Sequence, residues 1–302
     1  MTNALTSLRW RTVAFLMPVI ALLMSPQVAS AIEVNEDFKP QNEFKLDPWI
    51  SIKIGPFDMS INKAVALLIL AGVLTCVTLW WIARKMDSKP SKTQTIIEAA
   101  YDLTSNQITD GNMDKRMAKK WFPFIATLFF FIWFSNMIGY IPLPTNTEHT
   151  FSIFGVNFPT FALYAATANI SVPLALALIV WLSYHFEGIR AKGPIGYVKS
   201  WVPSGVEGPA LILVAPIEAL SQFVRLISLT ARLFANMLAG HMLILIMGGG
   251  MIVLLGSVFA AVTLPIGFAF YVFEVLLVAS LQAFIFTILS AIYIGGAVAE
   301  EH

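Results

Sequence analysis

Hydrophobic residues along this chain gather into a few long blocks separated by short polar stretches, and that spacing predicts helices that cross a membrane. A run of about 20 apolar residues spans the hydrocarbon core of a bilayer. The first block covers 64–83 and closes on Trp80, Trp81, Arg84 and Lys85, aromatic and cationic residues suited to a membrane interface. The second covers about 121–141 and the third about 161–184. Beyond Val206 apolar residues continue almost to the C-terminus, broken chiefly at Gly248, Gly249 and Gly250, which predicts two very long helices over 209–247 and 251–298. At 1.5 Å per residue, a helix of almost 40 residues is on the order of 55 Å long, against a hydrocarbon slab of about 30 Å. Such helices tilt strongly, break, or project from the membrane. Between the first two blocks, 93–108 mixes Ile96, Ile97, Tyr101 and Leu103 with polar residues, which suits a short amphipathic helix on the membrane surface. The expected fold is therefore an all-α integral membrane protein with five transmembrane helices, a long, strongly tilted C-terminal helical hairpin and one short surface helix.

Composition agrees. Of 302 residues 57% are hydrophobic and 12% charged, where an ordinary soluble domain carries about 25% charged residues. The net charge of +1 names no partner, and no basic cluster interleaved with aromatics points to nucleic acid. Cys76 is the single cysteine, and the histidines at 149, 185, 241 and 302 are scattered. That pattern offers neither a disulfide framework nor a zinc-spaced ligand set, and no cofactor is expected. Residues 1–31 read as a signal peptide: Arg9 and Arg11, an apolar stretch from Thr12 to Met24, then small residues at Ala29, Ser30 and Ala31. Loss of this segment would leave 32–60 as an outer N-terminal segment and 61–302 as a membrane ion-channel domain. Lys and Arg crowd the stretch from Arg84 to Lys120, vanish from 142–160, and return in 185–208 as Arg190, Lys192 and Lys199. By the positive-inside rule, the mature N-terminus lies outside and the C-terminus in the cytoplasm.

Charge inside the apolar blocks narrows the function. Of the nineteen Lys and Arg residues only Arg225 and Arg232 fall deep within an apolar helix, where a central Arg costs about 2.5–3.5 kcal/mol on insertion scales. Glu218, Glu274 and His241 are similarly placed, with Ser221, Gln222, Ser228, Asn236 and Gln282 as polar companions. Glu218, Arg225 and Arg232 recur every seven residues, a step that drifts only about 20° around an α-helix. Ser221, Ser228 and Asn236 project within about 40° of Arg232 at 100° per residue, which makes a polar stripe, whereas His241 projects about 180° away. A structural reading makes Glu218 and Arg225 a salt bridge between packed helices, and Asn236 and Gln282 interhelical hydrogen-bond residues. His241 then becomes a core histidine with Glu274 as its partner. Arg232, with no acid of its own stripe within a turn, resists that reading. A permanently charged guanidinium attracts a carboxylate, repels a neighbouring cation and blocks direct proton passage, while a histidine near neutrality suits proton relay.

The stretch Ser228-Leu-Thr-Ala-Arg232-Leu-Phe-Ala-Asn236-Met-Leu-Ala-Gly240-His241 resembles the signature of the a subunit of F-type ATP synthases. Leu281-Gln282-Ala-Phe-Ile-Phe-Thr-Ile-Leu, the ending Ala299-Glu-Glu-His302, Asn136-Met-Ile-Gly-Tyr-Ile-Pro142 and Asn169-Ile-Ser add to the likeness. The resemblance implies a stator subunit, non-catalytic by itself, with two offset half-channels carrying protons to and from a c-ring. Arg232 would separate them and face the ring's carboxylates. Asn236, His241, Glu274 and Gln282 would take outer half-channel or arginine-supporting positions and Glu218 the inner one, with Ser221, Gln222, Arg225 and Ser228 as supporting polar groups. Implied partners are the c-ring, peripheral-stalk b subunits and a bacterial plasma-membrane bilayer. The alternative, a secondary ion antiporter, usually shows matched inverted halves, and no second copy of the 218–241 pattern occurs in the chain.

Overall fold

A computed structural model describes residues 44–55, 57–84, 92–144, 150–153, 156–159, 163–202, 206, 208–247 and 260–299. The expected signal peptide and the turn at 248–250 lie outside them. The chain divides into two compact units, one of Glu43–His241 with Phe273–His302, the other of Met1–Asn42 with Met242–Val272.

In the larger unit the first helix, α1, spans Lys63–Arg84, and α2 spans Lys92–Asp102 before widening into a π turn at Leu103–Thr109. Helix α3 (Lys115–Gly139) starts where Asp114 accepts a hydrogen bond from the Arg116 backbone N–H, which satisfies one of the donors a helix start leaves open. Helix α4 covers Ser171–Lys199 and α5 covers Pro209–Leu245, whose final turn falls in the smaller unit. Helix α6 (Ala260–Phe273) runs into a π turn at Glu274–Val278 and on into α7 (Ala279–Val298). Two small antiparallel hairpins complete the described elements: β1 (Lys53–Ile54) with β2 (Phe57–Asp58), and β3 (Thr150–Ile153) with β4 (Val156–Pro159).

Among the described residues five helices are long and apolar enough to cross a membrane, as the hydropathy pattern predicts. Two boundaries differ from that expectation. The second pass begins at Lys115, so the basic residues before Trp121 form its first turns. The third pass begins at Ser171 and not near 161. Tyr164, Ala165, Ala166 and Ala168 are apolar because they pack against protein, in extended and 3₁₀ backbone. Tyr164 and Ala166 join Ala64, Leu67 and Ala71 of α1 and Ile138 of α3 in one core. Non-helical backbone at membrane depth is tolerated when protein buries it in this way. The helix then continues past Tyr184 through the basic residues expected in a loop. It breaks at Gly193, where φ of 73° and ψ of 163° suit glycine alone, and Pro194 opens the final turns.

Helix α7 packs against both α3 and α4, and α1 packs on α3. Helix α5 differs. Over its most apolar stretch 6% of residues are buried, against 56% for α3. Ile212, Leu213, Ile217, Leu220, Phe223, Val224 and Ile227 all point outward.

Candidate functional site

Helix α5 carries most of the expected site residues, and its covered and uncovered faces sort them. Leu229, Leu233, Met237 and His241 are buried, whereas Ala231, Arg232, Ala235 and Ala239 are exposed. Ser221, Arg225, Ser228 and Asn236 are half-buried, so the polar stripe runs along the border between the two faces. Arg232 lies on the open side of that border. Among the described residues it makes no ion pair or hydrogen bond, and none links it to Gln282, which is buried on α7.

Toward the N-terminal end of α5 the helices part around a cavity of about 360 Å³. Glu218, Gln222 and Arg225 line it from α5, Tyr184, Tyr197, Ser200 and Trp201 from α4 and the residues after it, and Tyr293 from α7. At liquid density such a space holds on the order of ten waters. Gln222 anchors the wall. Its backbone carbonyl accepts from Trp181 Nε1 at 3.0 Å, and its Oε1 accepts from Tyr184 Oη at 3.2 Å and from Arg225 Nη1 at 3.5 Å. The Arg225 guanidinium also stands 5.3 Å over the Tyr293 ring, a cation–π contact. No ion pair joins Glu218 to Arg225 among the described residues. The salt-bridge alternative is thus replaced by an arginine held through an amide and a ring, beside a carboxylate that faces open space.

At the other end the expected pair His241 and Glu274 meets through a residue that the sequence reading assigned no role. Tyr140, at the end of α3, is 1% exposed, and its Oη donates to Glu274 Oε2 at 3.0 Å. Its ring lies 4.5 Å from that of His241 at an angle of 31°. His241 is wholly buried, with Nδ1 2.9 Å from Met237 O and Nε2 3.0 Å from Gly139 O. A neutral imidazole donates to one of these carbonyls and a doubly protonated ring to both, so a second proton can be held without moving the ring. Gly240 admits the Glu274 carboxyl, because a methyl there would overlap it. Beside this cluster Asn136 accepts from Thr167 Oγ1 at 2.8 Å and donates to Ala279 O at 3.2 Å, tying α3 to α7.

The two clusters flank Arg232. Counted along α5 at 1.5 Å per residue, Glu218 lies about 21 Å to one side and His241 about 14 Å to the other. A further pair, exposed Lys120 with buried Glu187, links α3 to α4, and its 67-residue separation leaves no periodic trace in the sequence. Among the described residues no group of His, Cys, Asp and Glu is arranged to hold a metal ion.

The ATP synthase A chain family matches residues 65–295. ATP synthase subunit a of Frankia alni is 35% identical over 86% of this chain and 85% of its own length. The subunit of that name from Hyphomonas neptunium is 32% identical over 87% of this chain and 97% of its own, and that of Brucella canis 35% over 87% and 98%.

Proposed function

The chain belongs to the ATP synthase A chain family, and from that premise we propose that it is the stator channel subunit of a rotary F-type ATP synthase, with two offset proton half-channels that Arg232 keeps apart. The observation that carries the reading is the position of Arg232. It sits on the uncovered flank of the least covered span, with an open chamber on one side and a buried histidine–tyrosine–glutamate cluster on the other.

An exposed guanidinium at that depth is costly in lipid and favourable against an anion. The natural cover for this face of α5 is a c-ring whose helices carry a carboxylate. A proton bound for the ring enters past Glu274 and His241 and neutralises an arriving carboxylate. After rotation the carboxylate gives up its proton to the Glu218 chamber and passes Arg232 ionised, held by the guanidinium. Direct passage is blocked because a mobile cation is repelled beside Arg232. Asn236 and Ser228, half-buried on the same border, hydrate the flanks, while Gln282, Ser221, Gln222 and Arg225 support the walls. The subunit performs no bond chemistry of its own and works with the ring and the peripheral-stalk b subunits.

Orientation follows from the loops. The Glu218 chamber adjoins Tyr197 and Ala297, near the basic segment whose Lys192 donates to Ala299 O at 2.7 Å. The opposite cluster includes Tyr140, which precedes the 142–160 segment, a stretch without Lys or Arg. This supports a cytoplasmic chamber, an outer cluster and a bacterial plasma membrane, with 1–31 as signal peptide and 61–302 as the channel domain. The test is Arg232→Lys and Arg232→Ala in the whole complex, reconstituted in vesicles. Both variants are expected to assemble and lose proton-driven ATP synthesis, and Arg232→Ala to leak protons as well. Coupled synthesis by an assembled Arg232→Ala complex would discard the reading.

A further inference from the structure

Glu274 and His241 lie on different helices, and a third helix joins them. The end of α3 delivers Tyr140 between them, its hydroxyl on the carboxyl and its ring on the imidazole. Gly139, the preceding residue, gives its carbonyl to His241 Nε2. One turn of backbone thus addresses both ionisable groups. The ionisable side chain bonded to that carboxyl is Tyr140 from the end of α3, and His241 from α5 stands against the Tyr140 ring.

We propose that Tyr140 is a positioning residue of the outer half-channel, which aims the Glu274 carboxyl and sets the pH at which it takes up protons. The inference rests on the reading that His241 and Glu274 line the outer passage. The argument is geometric. A glutamate side chain has three rotatable bonds, and here its carboxyl is held by a hydroxyl on one oxygen and by the space that Gly240 leaves. An O–H donor favours the ionised carboxylate over the protonated acid. Without it the carboxyl is free to turn and holds its proton to higher pH. The ring stack fixes the phenol itself, since a tyrosine has two side-chain torsions and the His241 face restricts both. Orientation and proton affinity therefore depend on one oxygen atom.

Tyr140→Phe in the whole complex keeps the ring and removes that oxygen. Proton-driven ATP synthesis in vesicles is to be followed against outer pH at fixed inner pH. The expected result is normal assembly, a fall of roughly tenfold at the wild-type optimum, in line with loss of a hydrogen bond to a charged group, and an outer-side profile displaced toward alkaline pH. The dependence on inner pH should be unchanged. A wild-type rate and profile would overturn the proposal and leave Tyr140 as packing alone. Should Tyr140→Phe fail to assemble, 3-fluorotyrosine incorporated at 140 preserves shape while making the phenol more acidic. A displaced profile then supports the proposal, and an unmoved one overturns it. Glu274→Gln separates the two levels of inference. If that variant keeps full coupling, the outer-passage reading falls. If it is inactive while Tyr140→Phe behaves as wild type, only the role of Tyr140 falls.

Discussion

Two carboxylates flank Arg232, and their surroundings are opposite. Glu218 faces a cavity of about 360 Å³ whose wall is built of aromatic rings and amides. Glu274 is 7% exposed, touched by a phenol and set against the backbone of α5. One environment has room for water, and the other has replaced water with fixed groups. A proton pathway works with either, since mobile waters and ordered hydrogen-bond partners both conduct. They differ in what they tolerate. A water-filled chamber accepts changes of shape and is governed by access. A dry cluster is governed by the placement of single atoms, because an unpaired buried polar group costs far more than an exposed one.

Access gives the largest expected contrast. In a Cys76→Ser background, Glu218→Cys should react readily with a small aqueous thiol reagent added from the cytoplasmic side. His241→Cys, at a position that is 0% exposed, should react at least about tenfold more slowly from either side, since reactivity follows exposure and thiolate character. Equal rates measured by mass spectrometry would erase the distinction between the two regions. A smaller contrast lies in two glycines. Gly240→Ala displaces the Glu274 carboxyl from Tyr140, and even after the helix-propensity gain of alanine it should destabilise the chain by roughly 1 kcal/mol. Gly296→Ala lines the chamber, where an added methyl meets nothing within 4 Å. It should be neutral or stabilising by up to about 1 kcal/mol. Thermal unfolding in mild detergent checks both signs. The smallest effect is expected from Tyr184→Phe, which removes one of the donors to Gln222. It should cost about 0.5–1.5 kcal/mol, visible as a small loss of thermal stability with synthesis retained, because water can replace the hydroxyl in an open chamber.

The contrast also shows what a sequence discloses. Hydropathy located five passes because lipid demands unbroken apolar length, and the spacing of Glu218, Arg225 and Arg232 exposed a stripe because a helix is periodic. The third pass begins about ten residues later than the hydropathy predicts, since Tyr164 to Ala168 is largely apolar for the sake of protein neighbours, and composition does not tell lipid from protein. Arg225 looked like the partner of Glu218 at helical spacing, yet Gln222 and Tyr293 hold it, and Tyr293 comes from another helix. Tyr140 lies within the 136–142 motif, which by itself gives that residue no role. Its contacts with His241 and Glu274, 101 and 134 residues away, leave no local pattern.

The π turn at Glu274–Val278 carries a consequence for register. Glu274 and Gln282 are eight positions apart, and on an uninterrupted α-helix they would point about 80° from one another. A π turn inserts one extra residue, so the effective offset falls to seven and the angle to about 20°. Both side chains are accordingly buried, at 7% and 5% exposure. Removing any one residue between them would restore a regular helix and swing everything before the turn by about 100° relative to everything after it. Composition, length and hydropathy would hardly change, yet the carboxyl would be turned off its phenol. The helix thus carries an insertion whose value lies in its phase.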